Sequence, residues 1–301
     1  MSHAGVIVLS WLQAQDLLAA RAGSKASAVV SLDLNLSTRK LALDEQGVAF
    51  PDGQSLSWEA LEEIAEDKKH CFLIESSGPR RIQAFSEATR LVRTLYPTRE
   101  APTMLVSGFP MHRIRGTTPM EDTRKKVDAV GRLAGCRVLD TATGLGYTAI
   151  EAARRGARVL SIELDPTALE IAKCNPWSAE LFESDRIETV LGDVRDVVTR
   201  LEGRAFQVVL HDPPSVQLAG ELYSRELYAQ FHRVLTDRGR LFHYTGDPNS
   251  ALGDRTTRGV MRRLHEAGFD QVRRAPEAFG VIAEKRPPRH VRRARRTPST
   301  R

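Results

Sequence analysis

Residues 137–150, Arg-Val-Leu-Asp-Thr-Ala-Thr-Gly-Leu-Gly-Tyr-Thr-Ala-Ile, decide the fold. They read as a buried strand ending on Asp140, a turn carrying Gly144 and Gly146, and the start of a helix. Glycine allows a tight strand-to-helix turn and lets a ligand touch the main chain, while the following helix offers free N–H groups to a carboxylate. From about residue 120 onward, strands alternate with helices, which is the signature of a parallel sheet covered on both faces. Helix TRKKVDAVGRLA precedes the quoted strand. Strand RVLSIEL, helix PTALEIAKCN, strand IETVLGD, helix VRDVVTRLEG and strand FQVVLHDPP follow its helix. Helix ELYSRELYAQFHRVL, strand GRLFHYTG, helix TTRGVMRRLHEAG and two strands near 270–284 complete a sheet of seven expected strands.

Upstream, the pattern is different. Residues 1–22 carry helical spacing through Val8, Leu9, Leu12, Leu17 and Leu18, with an end near Gly23. AVVSLDLNL and KLALDEQ alternate in period two, GVAFPDGQSLSW places Asp52-Gly53 at a hairpin turn, and CFLIES is a further strand-like run. Positions Ile82, Phe85, Ala88, Leu91, Val92 and Leu95 predict a helix that stops at Pro97. The expected organisation is a small α+β module over 1–105, a Rossmann-like domain over 106–284, and a basic tail over 285–301.

The acids at strand ends give the parallel region its chemistry. Glu163 ends the second strand 23 residues after Asp140, where a carboxylate beside the glycine turn can accept hydrogen bonds from both hydroxyls of a ribose. Asp193 ends the third strand, within reach of an adenine amino group. A nucleoside-containing cofactor is therefore expected, and position 149 is alanine, so the third glycine of a nicotinamide-binding turn is absent. The fourth strand ends in His211-Asp212-Pro213-Pro214-Ser215. Two prolines end the ladder and force an extended loop, and a carboxylate beside an aimed carbonyl suits an amino group on a planar ring.

Residues 138–215 resemble motifs I to IV of the class I S-adenosylmethionine-dependent methyltransferases. That resemblance implies Asp140, Thr141, Gly144 and Gly146 around the methionine end of the cofactor, Glu163 on its ribose and Asp193 on its adenine. The usual first glycine of the turn is Ala142 here. The Asp-Pro-Pro sequence resembles the motif of enzymes that methylate amino groups of adenine, cytosine or glutamine, with Asp212, Pro213 and His211 as the implied catalytic set. Ser215 replaces the motif's aromatic residue, so Tyr223, Tyr228 or Tyr244 would have to supply stacking. A second resemblance covers about residues 108–270, through GFPMHRIRGT (108–117), DTATGLGYTAI (140–150), NPWS (175–178), HDPP (211–214), LAGELYS (218–224) and FHYTG (242–246). These segments look like a mostly archaeal methyltransferase family related in fold to spermidine synthases. It implies dimethylation of the 4-amino group of a cytidine in small-subunit ribosomal RNA, although members tend to carry a basic residue where this chain has Ser215.

His112, Arg113 and Arg115 precede the parallel region in a loop where arginine can offer its donor fork to phosphate or carboxylate, or simply be a surface charge. His211 is a candidate general base or a positioning group, and His243 with Tyr244 ends the next strand over the same cleft. The net charge of +6 is concentrated: residues 285–301 hold eight Lys/Arg and no acid, leaving 36 basic and 38 acidic groups in the other 284 residues. RNA is the expected partner, held by the tail and the N-terminal module, unless the tail is only a solvated end. A homodimer is the assembly entertained. No run reaches the roughly 20 apolar residues of a membrane span, and the first residues lack a basic n-region, so a cytoplasmic location is expected. Cys71, Cys136 and Cys174 show no metal-ligand spacing, so buried thiols and no metal are expected. Two rivals remain: an aminopropyltransferase of the spermidine synthase type, and a non-catalytic RNA-binding or assembly protein that retains the cofactor site.

Overall fold

The computed structural model describes residues 6–286; the expected basic tail lies outside them except for Lys285 and Arg286. Its central sheet contains the seven expected strands: β1 (Arg137–Asp140), β2 (Arg158–Glu163), β3 (Ile187–Leu191), β4 (Phe206–His211), β5 (Leu235–Tyr244), β6 (Gln271–Ala275) and β7 (Gly280–Glu284). They lie in the order 3-2-1-4-5-7-6. The first five are parallel, and β7 runs antiparallel between β5 and β6. The strand order reverses at β1, which opens a crevice at the carboxyl ends of β1, β2 and β4.

Among the described residues, six helices of seven or more residues cover the two faces, α1 (Pro119–Ala129), α2 (Tyr147–Arg154), α3 (Pro166–Lys173), α4 (Val194–Arg200), α5 (Arg225–Val234) and α6 (Ala251–Glu266), with a short helical turn at Ala179–Glu183. Their starts follow from local chemistry. Thr118 and Glu121 form a capping box at α1 with Pro119 in its first turn, and Asp165, Asp193, Ser224 and Ser250 cap α3, α4, α5 and α6. One face packs Val138, Val159, Val208 and Phe242 against α1, α2 and α3; the other packs Leu139, Val209 and Leu241 against α4, α5 and α6.

The N-terminal part has its own core around Leu9, Leu17, Trp58, Leu61 and Ile64. The first helix occupies only Trp11–Ala22, because Val8–Leu9 pairs as a strand with Phe72–Glu75. A further helix, Trp58–Glu66, follows the Asp52-Gly53 hairpin. The helix expected over 82–95 is instead a hairpin, Gln83–Ser86 against Leu91–Tyr96. Two strands that face each other across a turn at Arg90 (φ 58°) reproduce a three-to-four spacing, but Ile82 and Leu95 point into the core while Phe85 and Val92 are exposed. Cys71 is buried, whereas Cys136 and Cys174 are only partly so.

Residues before 105 are not a detached unit. Leu95, Ala101 and Met104 share one apolar core with Val127 and Val138. Buried Arg93 pairs with the α3 cap Asp165 at 2.6 Å, and Trp177 donates its indole N–H to the Leu34 carbonyl at 2.8 Å. Burying such a pair is favourable only when both charges are satisfied, as Asp165 is by Arg93, Thr89 and the Thr167 N–H.

Candidate active site

The turn after β1 is built from backbone. Gly144 and Gly146 have φ of 54° and 77°, which a side chain resists, while Ala142 lies outside the left-handed region. The departure at position 142 therefore introduces no strain. Gly146 begins α2 without a side-chain cap, so its first N–H groups remain available to an anion. A Cβ at Gly144 would lie 2.2 Å from the Met111 methyl, because the loop carrying Met111, His112 and Arg113 lies over the turn. His112 stacks on Tyr147, the first residue of α2, with ring centroids 5.0 Å apart. Burial drives its pKa down to about 3, so it is neutral.

The Glu163 carboxylate closes the other side of the turn, accepting from the Gly144 N–H at 2.8 Å and the Asp165 N–H at 2.9 Å, one on each oxygen. Each oxygen keeps a lone pair, the requirement for meeting a pair of vicinal hydroxyls. Asp140 is different. It is fully buried, and both its oxygens accept hydroxyl hydrogens, from Thr148 at 3.1 Å and Ser161 at 2.6 Å. Burial raises its pKa to about 7. Asp140 ties β1, β2 and α2 together beneath the turn. Asp193 caps α4 through the Arg195 N–H and pairs with the Arg195 guanidinium at 2.6 Å, which holds its carboxyl below the usual range. Its charge is therefore already partnered at the end of β3.

At the end of β4, Asp212 belongs to a buried chain of alternating charges. Lys126 on α1 has 1% of its side chain exposed and donates to Asp212 Oδ2 at 2.6 Å and to Asp122 Oδ2 at 2.9 Å. The Nε of Arg113 pairs with the other oxygen of Asp122, its guanidinium donates to the Glu277 carbonyl at 3.0 Å, and it lies 3.9 Å from the Phe279 ring centroid. Arg113 thus anchors the chain rather than facing solvent, while Arg115 is exposed. Burial opposes the Lys126 charge, but the two carboxylates outweigh it and hold the ammonium protonated. Burial pushes the Asp212 carboxyl up, and Lys126 works against that rise. Sequence reasoning missed Lys126 and Asp122. Both lie on the face of α1 that buries Met120, Thr123 and Val127, but their charge reads as solvated in the sequence.

Among the described residues, the polar partner of the Asp212 carboxylate is Lys126 on Oδ2, and no donor is paired with Oδ1; in the loop that follows, Pro213 is buried and Ser215 exposed. Among the described residues, no donor reaches the Pro213 carbonyl, whereas the Pro214 carbonyl accepts from the Tyr223 hydroxyl at 2.9 Å. His211 has no free nitrogen. Its Nε2 meets the Leu222 carbonyl at 2.9 Å and must donate there, so Nδ1 accepts from the Thr141 hydroxyl at 2.6 Å. Burial lowers its pKa to about 4. His243, 4.5 Å away between ring centroids, is likewise engaged, by the Tyr228 hydroxyl and the Tyr244 carbonyl. The two imidazoles are neutral and hydrogen-bonded at both nitrogens, an arrangement that fits the positioning role for His211. Tyr228 is fully buried and Tyr223 nearly so, leaving partly exposed Tyr244 as the aromatic beside Asp212, with Lys126 Nζ 4.8 Å from its ring centroid.

A family model described as conserved hypothetical protein 95 matches residues 111–239. The chain is 44% identical over 262 residues to the uncharacterized protein MJ1233 of Methanocaldococcus jannaschii, covering 85% of this chain and 88% of that one. It is 28% identical over 169 residues to the tRNA1(Val) (adenine(37)-N6)-methyltransferase of Porphyromonas gingivalis, covering 50% and 65%. Among solved structures, a spermidine synthase in complex with the transition-state analogue AdoDATO superposes with a TM-score of 0.57 at 18% identity, over 67% of this chain and 72% of that one, a likeness of fold alone. The chain belongs with the Methanocaldococcus protein in one family, and that family is one of class I S-adenosylmethionine-dependent methyltransferases.

Proposed function

We propose that the chain methylates an exocyclic amino group of a nucleobase in RNA, with the 4-amino group of a cytidine in ribosomal RNA as the leading acceptor. The observation that carries this reading is Asp212: one oxygen is held by a buried lysine, while the other oxygen and the Pro213 carbonyl after it have no donor among the described residues. Two fixed acceptors match the two hydrogens of an aromatic amine. S-adenosylmethionine supplies an electrophilic methyl carbon on a sulfonium. Gly144, Gly146 and the start of α2 would hold its methionine end and Glu163 its ribose, with Asp193 at the adenine end and Asp140 and Thr141 acting from below.

With S-adenosylmethionine held there, its methyl group would pass to the amine nitrogen, S-adenosylhomocysteine would leave, and one amine proton would be released. Asp212 and Pro213 orient the nitrogen lone pair toward the methyl carbon and stabilise the positive charge that develops on nitrogen. The released proton passes to water. Tyr244 is the stacking face, and Arg115 and Ser215 line the approach. A paired base must leave its stack to reach these acceptors, so the target is single-stranded or flipped.

The Lys126 ammonium argues against aminopropyl transfer, since a cationic polyamine would approach a carboxylate that already has a cation behind it. Among the described residues no helix is long and apolar enough to cross a membrane, and no cluster of His, Cys, Asp and Glu is arranged for a metal ion. The test is mass spectrometry of nucleosides from cells lacking the protein. Loss of a base-methylated nucleoside, restored by the wild type and not by Asp212→Ala, is expected; an unchanged nucleoside profile with loss of methylation in a protein would transfer the reading to a side-chain amine or amide.

A further inference from the structure

Outside the cleft, α6 carries Arg255, Arg258 and Arg262 at a spacing that sets them on one face of the helix. With Val216, Gly259 and Arg263 they border a groove of about 550 Å³ that no carboxylate lines. The groove adjoins the acceptor loop. Val216 is the fourth residue after Asp212, Arg263 Nε donates to the Tyr223 carbonyl at 2.7 Å, and the Tyr223 hydroxyl donates to the Pro214 carbonyl at 2.9 Å. The wall of the groove and the Asp-Pro-Pro turn are therefore one hydrogen-bonded unit. Gly259 makes this possible: a Cβ there would come 3.2 Å from the Arg263 guanidinium, which crosses the helix to reach the loop.

The remaining arginines are engaged only in solvent-exposed pairs or in none that the described residues show. Arg258 pairs with Asp254, which is shared with Arg274, and Arg262 reaches Glu266 only at 3.7 Å; their side chains are 67% and 73% exposed. Arg255 is also exposed. Solvated pairs of this kind contribute little to stability. In a chain whose first 284 residues are slightly acidic, a row of guanidinium groups without lining acids is a local segregation of charge beside the reaction site.

We infer that this groove takes the phosphodiester backbone of a single-stranded RNA, on nucleotides flanking the one presented to Asp212. The inference rests on the RNA reading above. Guanidinium forks suit phosphate oxygens, and each phosphate neutralised releases counterions, which gives the contact a salt signature.

The test uses the full chain, so that residues 287–301 are the same in every protein. A labelled single-stranded RNA of mixed sequence is titrated across a salt series against wild type, a triple Arg255→Ala, Arg258→Ala, Arg262→Ala variant, and the matching triple lysine variant. S-adenosylhomocysteine affinity and melting temperature should be unchanged, since none of the three residues lies near the cofactor turn. The alanine variant should lose about tenfold or more in RNA affinity, and its salt slope should flatten by roughly 2, about 0.7 for each phosphate contact removed. The lysine variant should keep most of the slope. Equal affinity and equal slope in wild type and alanine variant would overturn the groove and leave the RNA reading standing. A wild type without measurable RNA affinity would remove both.

Discussion

The two sides of the cleft are built by different means. The cofactor side is made of backbone: positive-φ glycines, a helix start without a cap, and a glutamate that accepts main-chain N–H groups, all within residues 140–165. The acceptor side is made of side-chain charge drawn from distant segments, with Arg113, Asp122 and Lys126 converging on Asp212, 86 residues from Lys126. The first side depends on backbone conformation, which a Cβ at Gly144 or Gly146 would disturb. The second depends on charge balance, since each charge in a buried chain is satisfied only by its neighbours.

The comparison predicts the largest effect on the acceptor side. Asp212→Ala should keep S-adenosylmethionine affinity and lose turnover by on the order of a hundredfold or more, because an acceptor aimed at developing charge is removed. Single-turnover kinetics with saturating cofactor would measure it. Near-normal turnover would break the distinction between the two sides.

The acceptor side also predicts a loss of stability, in Lys126→Met. Deleting the cation leaves Asp212 without a partner and Asp122 with Arg113 alone, at a cost of about 3–5 kcal/mol. Denaturant unfolding should show that loss, and adding Asp122→Asn should recover part of it. A stability loss below about 1 kcal/mol would mean that solvent reaches the pair and that Asp212 is oriented by something else.

On the cofactor side the expected change is smaller. Glu163→Ala should weaken S-adenosylmethionine and S-adenosylhomocysteine alike, by about 1.5–3 kcal/mol in calorimetry, through lost charge-assisted hydrogen bonds. Unchanged affinity in the folded variant would take the ribose away from the end of β2.

The scaffold beneath both sides predicts a pH dependence. His112 and His211 have folded pKa values near 3 and 4, below the roughly 6.5 of an unfolded chain, so the unfolded state binds more protons between those limits. Their contribution is present above about pH 6.5 and lost as pH falls through the folded values, at about 1.4 kcal/mol per pH unit for each histidine. Asp140 acts in the opposite sense, since its folded pKa near 7 lies above the unfolded value; its contribution is lost as pH rises toward 7. His211→Gln should flatten the acid limb of a melting-temperature profile, and Asp140→Asn should steepen it. Profiles parallel to wild type would show that these groups are not the ones titrating.

The same contrast explains what could be read from the chain. The glycine turn was legible because its contacts are local and depend on residue types that dictate backbone, as with Gly144, Gly146 and Glu163. The seven strands were legible from periodicity, as was Asp212 from the two prolines after it. Lys126 was not, because a charged residue in a helix reads as solvated until a partner from β4 is brought to it. The roles of Asp140 and His211 shifted for a similar reason: their hydrogen-bond partners, Ser161 and Leu222, are set by packing. The hairpin over 83–96 was hidden by a spacing that a helix and a pair of facing strands can both produce. Arg258 and Arg262 lay in the helix expected from Thr256 onward, whereas Arg255 lay before it because the helix starts at Ala251, and the groove exists only where that helix meets the loop after Pro214.

The central claim is that Asp212, held by Lys126, presents an amine to the methyl group of S-adenosylmethionine. The most direct test supplies S-adenosylmethionine with a deuterated methyl group, the purified full chain and RNA from cells lacking the protein, and follows the label by nucleoside mass spectrometry. The account predicts label on the exocyclic nitrogen of a base with wild type and none above background with Asp212→Ala. Label on a ribose oxygen or a ring carbon, or undiminished labelling by the Asp212→Ala protein, would contradict it.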